Sequence, residues 1–293
     1  MAEIASGVLR LPIYDSEAKL DKLWSLPLFA GSIGIKQAAQ LIYERVTSAG
    51  VSDKEFTIES RHLKYPFTLT ASRGDFGVAR QTLAAELWRL PQNIEAGELN
   101  GESVVIVGAN IGAAAVYLAS KLDLSRFTAI EPNRRNLGKL RRNTDSYGDQ
   151  IEVFVRAFGT RPGFQRLANP EAGDSGRHAS YRYERWDTEQ GPLNTALVMT
   201  PTAILNQTRS RIGILHVDIG GAEKEVFDDS KTGHGEADLL LESTRYFYVR
   251  PRDRYVKGAT KAVSEAAHRT GHKLIERHGP VLVFENTNFA NLQ

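Results

Sequence analysis

The sequence contains no cysteine, which excludes disulfides, thiolate metal sites and a cysteine nucleophile and fits a reducing compartment. It also lacks any apolar run near the ~18 uninterrupted residues a membrane span needs. The opening stretch MAEIASGVLRLPIYDSEAKL has no basic start followed by a long apolar core, so no signal peptide is expected. The expectation is a soluble, cytoplasmic protein with no membrane partner. Charge of one sign is missing too: 37 Lys and Arg stand against 35 Asp and Glu, a formal net charge of +2. That balance makes no global electrostatic case for nucleic acid or a membrane surface. No His-Glu-x-x-His helix occurs, and His178, His234, His268, His272 and His278 are scattered, so no zinc site is expected.

What is present is ordinary globular material, 41% hydrophobic and 25% charged over 293 residues, enough for one large α/β domain plus an appended segment. From Ser103 onward short apolar runs alternate with helical patterns, as in a doubly wound sheet. Val104–Val107 reads as a strand buried on both faces. Ile111, Ala115, Leu118 and Leu122 follow at helical spacing. Phe127–Glu131 is a second strand ending in a carboxylate, and Pro132 and Asn133 open another helix. That helix carries Arg134, Arg135, Lys139, Arg141 and Arg142, read as a solvated face, with phosphate contact as the lesser alternative. Ile151–Ala157 reads as a third strand, Ile212–Asp218 as a fourth and Ala237–Glu242 as a fifth. A short helix is expected from Ala222 to about Asp228. Ala259, Ala262, Val263, Ala266 and Ala267 mark one face of a helix closed at Gly271. Lys273–Glu276 and Val281–Phe284 form a terminal hairpin.

The polar stretch from about 159 to 194 is expected to be an insertion, with short antiparallel strands near Phe164–Leu167 and Tyr181–Trp186. It is either a lid or a plain surface loop. Residues 1–100 read as a cap: helices at Lys36–Val46 and Val78–Leu87, strands near Glu55–Ser60 and Phe67–Ala71. Arg73-Gly74-Asp75 is expected to be a turn. Residues 101–293 form the main domain, and the helical cap is a candidate homodimer surface.

The loop Gly108-Ala109-Asn110-Ile111-Gly112 joins a strand to a helix. Glycines there let backbone approach a ligand, and the helix N-terminus presents unpaired N–H groups to an anion. Glu131, about 20 residues on, stands where an adenosine ribose would offer two hydroxyls to a carboxylate. The same logic suits NAD, but the missing third glycine and the terminal hairpin favour S-adenosylmethionine.

These stretches resemble the FkbM-type methyltransferases, whose pattern is Val-Asp-x-Gly-Ala-Asn-x-Gly, then Glu-Pro-Asn, then Lys-x-Asp-x-Glu-Gly-Ala-Glu. Here they read Val105–Gly112, Glu131-Pro132-Asn133 and His216–Glu223. The resemblance implies an α/β, Rossmann-like class I methyltransferase sheet, mostly parallel with an antiparallel end. It implies S-adenosylmethionine held by Gly108, Ala109, Asn110, Gly112, Glu131, Pro132, Asn133 and Ala157. It further implies methyl transfer to a hydroxyl of a small sugar-like or polyketide-like molecule. Three residues depart from the pattern: Ile106 replaces an aspartate, His216 a lysine and Gly220 a glutamate.

Asp218 and His216 lie two apart on one strand and so share a face. Asp218 is the first candidate for general base or substrate anchor, with helix capping as its structural alternative. His216, which ordinarily titrates near neutrality, is the second, with a hydrogen-bonded core histidine as its alternative. Glu242 is expected to orient either of them, with a divalent ion shared with Asp218 as the lesser alternative; no metal is expected. Glu223 reads as a first-turn acid favoured by the helix dipole. Two other functions compete: a catalytically silent binding or scaffold subunit, motivated by Ile106 and Gly220, and an RNA methyltransferase, motivated by the basic helix and the arginines between 156 and 185.

Overall fold

The computed structural model describes residues 26–92, 94–123, 126–168, 182–186, 195–208, 211–228 and 235–291; His178 and His234 lie outside them. The cap contains α1 (Ile35–Thr47), β1 (Glu55–Ile58), β2 (Phe67–Thr70) and α2 (Arg73–Leu83), with β1 and β2 paired antiparallel. Helix α2 begins five residues earlier than its apolar pattern suggests. Arg73-Gly74-Asp75 is its first turn, not a free turn, because the Ser72 side chain caps it by accepting from the Asp75 amide. Asp75 is buried: it accepts from the Thr70 amide at 2.9 Å and pairs with Lys139 at 2.7 Å.

The main domain then runs β3 (Ser103–Val107), α3 (Ala113–Lys121), β4 (Phe127–Ile130), α4 (Arg134–Asp145) and β5 (Ile151–Phe154). A small sheet follows from β6 (Ala157–Phe158), β7 (Phe164–Ala168), β8 (Arg182–Trp186) and β9 (Thr195–Met199), then α5 (Pro201–Thr208). The chain returns through β10 (Ile212–Val217), α6 (Glu223–Phe227), α7 (Glu236–Glu242), β11 (Thr244–Val249), α8 (Ala259–Arg269), β12 (His272–His278) and β13 (Val281–Asn286).

The central sheet has the order β12-β13-β11-β10-β3-β4-β5, with β13 antiparallel to both its neighbours and the other pairings parallel. This is the class I methyltransferase arrangement: the chain reverses direction between β3 and β10, and crevices form at the carboxyl ends of strands beside such a switch. Alternate strand residues feed two cores. Val104, Ile106, Ile214, Tyr246 and Tyr248 pack with the cap, α3 and α4. Val105, Val107, Leu215, Val217, Phe247 and Val249 pack with α5, α6, α7 and α8. The cap is therefore part of one face of the sheet.

A seam of polar contacts fastens the cap's exit to the terminal hairpin. His278 bridges the Leu87 carbonyl at 3.1 Å and the Glu276 carboxylate at 2.8 Å. The Gln92 amide donates to Glu276 at 2.9 Å, and the Tyr248 hydroxyl donates to the Arg89 carbonyl at 3.2 Å.

Three elements differ from expectation. Ala237–Glu242 is helical, and the fifth strand is Thr244–Val249. A short apolar run does not distinguish strand from buried helix by periodicity, and here Ala237, Leu240 and Leu241 are the buried residues, at helical spacing. The third strand stops at Phe154, before Ala157. The expected insertion hairpin is present as β7 against β8, but β9 and α5 were not foreseen. No helix among the described residues is long and apolar enough to cross a membrane.

Candidate active site

The site forms where β3, β4 and β10 end together. At the end of β3, Gly108 takes φ +80°, and a Cβ there would fall 2.2 Å from the Asp218 carbonyl oxygen. Only glycine allows the β3 loop and the β10 loop to meet this closely. Asn110 follows at φ +53°, a left-handed conformation that asparagine tolerates, with its side chain accepting from the Ile111 amide at 2.8 Å.

Glu131 lies one residue beyond β4 and ties the β3 loop to the start of α4. Its Oε2 accepts from the Asn110 amide at 2.8 Å; its Oε1 accepts from the Asn133 amide at 2.8 Å and the Asn136 side chain at 3.2 Å. Burial nevertheless pushes its pKa up to about 7, against the downward pull of those three donors. The carboxylate lines an open cleft together with Gly108, Asn110, Pro132, Asn133, Asn136, Arg156, Phe158, Gln165, Asp218, Ile219 and Gly220.

Of the residues expected to hold a cofactor, Gly108, Asn110, Glu131, Pro132 and Asn133 line this cleft. Ala109, Gly112 and Ala157 do not. Ala109 is packed in the core. Gly112, at φ +91°, fits closely against Leu140 and Asn143 at the start of α3. Ala157 turns into a small cluster with Ala196 and Val198, and its neighbours Arg156 and Phe158 take the cleft positions instead. A strand reverses its side chains at every residue, so an error of one position exchanges the two sets.

Asp218 lies one residue beyond β10 and faces the cleft. It does not cap the following helix. Arg252 grips its Oδ1 with Nε at 3.1 Å and Nη2 at 2.6 Å, while Arg250 approaches Oδ2 at 3.5 Å. Burial alone would raise the Asp218 carboxyl, but the charges of Arg252 and Arg250 outweigh it and hold the pKa below its ordinary value. Burial and the neighbouring Arg252 bring Arg250 down to about 10, and its Nη1 also donates to Gln81 of α2 at 2.8 Å. Asp218 thus stays ionised at neutral pH, a hydrogen-bond acceptor and anchor more than a proton-hungry base.

Glu223 takes over the local capping role. It accepts from the Ile219 amide at 3.0 Å, and burial, with the nearby Asp218 charge, pushes it up to about 7. Its second oxygen is buried without a hydrogen-bond partner among the described residues.

The other two catalytic candidates lie elsewhere. His216 is 2% exposed, and neither ring nitrogen has a hydrogen-bond partner among the described residues. Its ring meets Trp88 of the cap edge-on at 4.0 Å, and burial lowers its pKa to about 4. It is a neutral core residue without the hydrogen bonds expected of one. Glu242 closes α7 just before β11, and β11 starts level with Ile212 of β10. It therefore sits at the amino edge of the sheet, opposite Asp218, and neither orients Asp218 nor shares an ion with it.

Comparison with known proteins places this geometry in a family. Residues 107–257 match the methyltransferase FkbM domain. AMB antimetabolite synthetase AmbE of Pseudomonas aeruginosa is 25% identical over 214 residues, 61% of this chain and 10% of that protein. The chain therefore spans about a tenth of the length of this curated relative. The crystal structure of methyltransferase FkbM from Methylobacillus flagellatus KT has 16% identity and a TM-score of 0.42, covering 86% of this chain and 60% of that one. Precorrin-6y C5,15-methyltransferase from Geobacter metallireducens GS-15 has 14% identity and a TM-score of 0.37, covering 70% of this chain and 84% of that one.

Proposed function

The chain belongs to the FkbM methyltransferase family, and from that premise we propose that it transfers a methyl group from S-adenosylmethionine to a hydroxyl oxygen of a small, hydroxylated molecule. The observation that carries this reading is the meeting of Gly108, Asn110, Glu131 and Asp218 at one cleft, from the ends of three neighbouring strands.

The residues present fit the nucleoside half of the cofactor. Glu131 is a buried carboxylate on the cleft wall, and a carboxylate has about four lone-pair sites, of which its three described donors leave about one for a ribose hydroxyl. Pro132 and Phe158 offer apolar surface beside it. Bound there, the cofactor supplies an electrophilic methyl group on a sulfonium. Asp218 then acts on the acceptor: its Oδ2, held only loosely by Arg250, is the oxygen free to accept from an incoming hydroxyl and orient it, and the hydroxyl proton passes to solvent in the open cleft as the oxygen is methylated. Arg252 fixes the carboxylate so that this orientation costs little at the moment of reaction.

Isothermal titration with S-adenosylmethionine and S-adenosylhomocysteine tests the pocket; micromolar binding, on the order of −8 kcal/mol, is expected. A screen of hydroxylated acceptors for radiolabelled methyl transfer then tests the chemistry.

A second reading, a silent scaffold subunit, is favoured by one specific finding: Asp218 is already ion-paired, while His216 and Glu242 are out of reach of the cleft. No heat and no thermal stabilisation with either nucleoside would select it. RNA methylation receives less support, because Lys139 and Arg142 of the basic helix pair with Asp75 and Glu55.

A further inference from the structure

The large apolar side chains on the surface of this protein are concentrated in one place. Of the eight that are exposed among the described residues, five lie between 28 and 51: Leu28, Ile35, Tyr43, Val46 and Val51, at 57% to 80% exposure. Three of these belong to α1, where Ile35, Ala39, Ile42, Tyr43 and Val46 recur at steps of three or four residues or adjoin one another, and so form one stripe. Leu28 precedes that helix and Val51 follows it.

The opposite side of α1 already meets the core. Ala38 and Leu41 are buried there, and the Arg45 guanidinium lies over the Phe76 ring, 4.9 Å from its centroid. The outward stripe is bordered on one side by polar Lys36, Gln40 and Thr47. Beyond them Glu44 accepts from Ser52 and pairs with Lys54. A surface helix with one partner keeps a polar outer face, so a helix apolar on both sides is built to be covered on both. An apolar centre with a polar rim is also the anatomy of a protein–protein contact.

The stripe is complementary to itself. Ile35 and Tyr43 stand four residues to either side of Ala39. Two copies of α1 crossing antiparallel at Ala39 therefore set Ile35 of each against Tyr43 of the other, and the small alanines let the helices approach closely. The same pairing brings the Leu28 end of one copy to the Val51 end of the other. With about 200 Å² for a large side chain fully exposed, the five residues present roughly 600 Å² per copy, or about 1,200 Å² for a pair, which reaches the size of a specific interface. We propose that α1 is a homodimer interface, through which two copies of this chain pair by Ile35, Ala39, Tyr43 and Val46 about a two-fold axis at Ala39.

The test uses the full chain. Sedimentation from about 1 to about 100 μM is expected to show monomer passing to dimer, with a dissociation constant in the micromolar range. Ile35→Lys and Tyr43→Lys should each weaken association at least about tenfold. Both side chains are exposed, so circular dichroism should stay unchanged. The chain has no cysteine, so Ala39→Cys introduces a single thiol. Where two helices cross at about 8–10 Å, the facing Cα atoms are about 4–6 Å apart, within disulfide reach. Mild oxidation should therefore link Ala39→Cys chains in pairs, whereas Lys261→Cys, exposed on α8, should link far more slowly. A chain that stays monomeric at about 100 μM overturns the proposal and leaves the stripe to a protein of different sequence. A dimer that survives both lysine variants, or that links no faster through Ala39→Cys than through Lys261→Cys, overturns α1 as its interface.

Discussion

Ile106 and His216 are partners in register on neighbouring parallel strands, β3 and β10, and share one face of the sheet. Both are buried, at 0% and 2% exposure. The family pattern that this sequence resembles has aspartate at the first position and lysine at the second. Two departures that look independent along the chain are thus one exchange in space: an acid and a base replaced together by neutral groups, with Trp88 laid against the histidine. The exchange makes physical sense, because a lone charge of either sign at this depth would go uncompensated.

Restoring the charges should therefore be strongly coupled. His216→Lys alone is expected to destabilise the fold by ~3 kcal/mol or more. Adding Ile106→Asp should return at least ~1 kcal/mol of that loss. Urea unfolding of the two single variants and the double closes the cycle; simple additivity would show that the two positions do not communicate.

Glu131 should govern cofactor affinity in a pH-dependent way. With its pKa pushed up to about 7, the carboxylate is largely protonated at pH 6 and largely ionised at pH 8. Ribose hydroxyls donate better to the ionised form, so S-adenosylhomocysteine should bind more tightly as pH rises through 7. Glu131→Gln should weaken binding about 10- to 100-fold at pH 8, the scale of a lost hydrogen bond to a charged group, and flatten the pH dependence. Titrations at the two pH values decide it.

Asp218→Asn should leave nucleoside binding within a few-fold while lowering methyl transfer about 10²-fold, the scale of losing a contact that orients the acceptor. Parallel measurements of binding and turnover separate the two effects. Equal turnover in the variant would remove Asp218 from the chemistry and leave it as a structural partner of Arg252.

Stability against pH should show opposing trends. Glu131 and Glu223 have folded pKa values raised to about 7, so the stability they lend is full below about 4.5 and fades as pH rises through 7. His216 and His272 are lowered to about 4 by burial; their contribution is full above about 6.5 and is lost as pH falls through 4. Between these limits the two pairs offset each other. Glu223→Gln should therefore gain stability over the parent at pH 8, by up to ~3 kcal/mol for a shift of this size, and lose that advantage below pH 5. His216→Leu should flatten the acid side. Thermal melts from pH 4 to pH 8 provide the check.

Much of the sheet was legible because its signals are local. The glycine loop, the acid just beyond β4 and the terminal hairpin each lie within a few residues of chain. Arg250 and Arg252 were not legible: nothing in Arg-Pro-Arg announces a partner 32 to 34 residues upstream, and only the adjacency of β10 and β11 brings Asp218 to them. Gln81 and Trp88 arrive from the cap, still farther along the sequence. Glu242 was misplaced for a different reason. A run of three leucines satisfies both a strand and a short buried helix, and taking it as strand moved the acid to the wrong edge of the sheet.

The seam between residues 87–92 and the terminal hairpin has a consequence for inheritance and for engineering. His278 and Glu276 lie at the far end of the chain, yet their partners are the Leu87 carbonyl and the Gln92 amide. A cut before residue 101 would strip both side chains of their acceptor and donor and bare the sheet face that the cap covers. We therefore expect the two parts to melt in one transition and to resist separate expression. Any exchange of this cap for another has to bring its matching hairpin with it, so the two ends of the chain should travel as a unit.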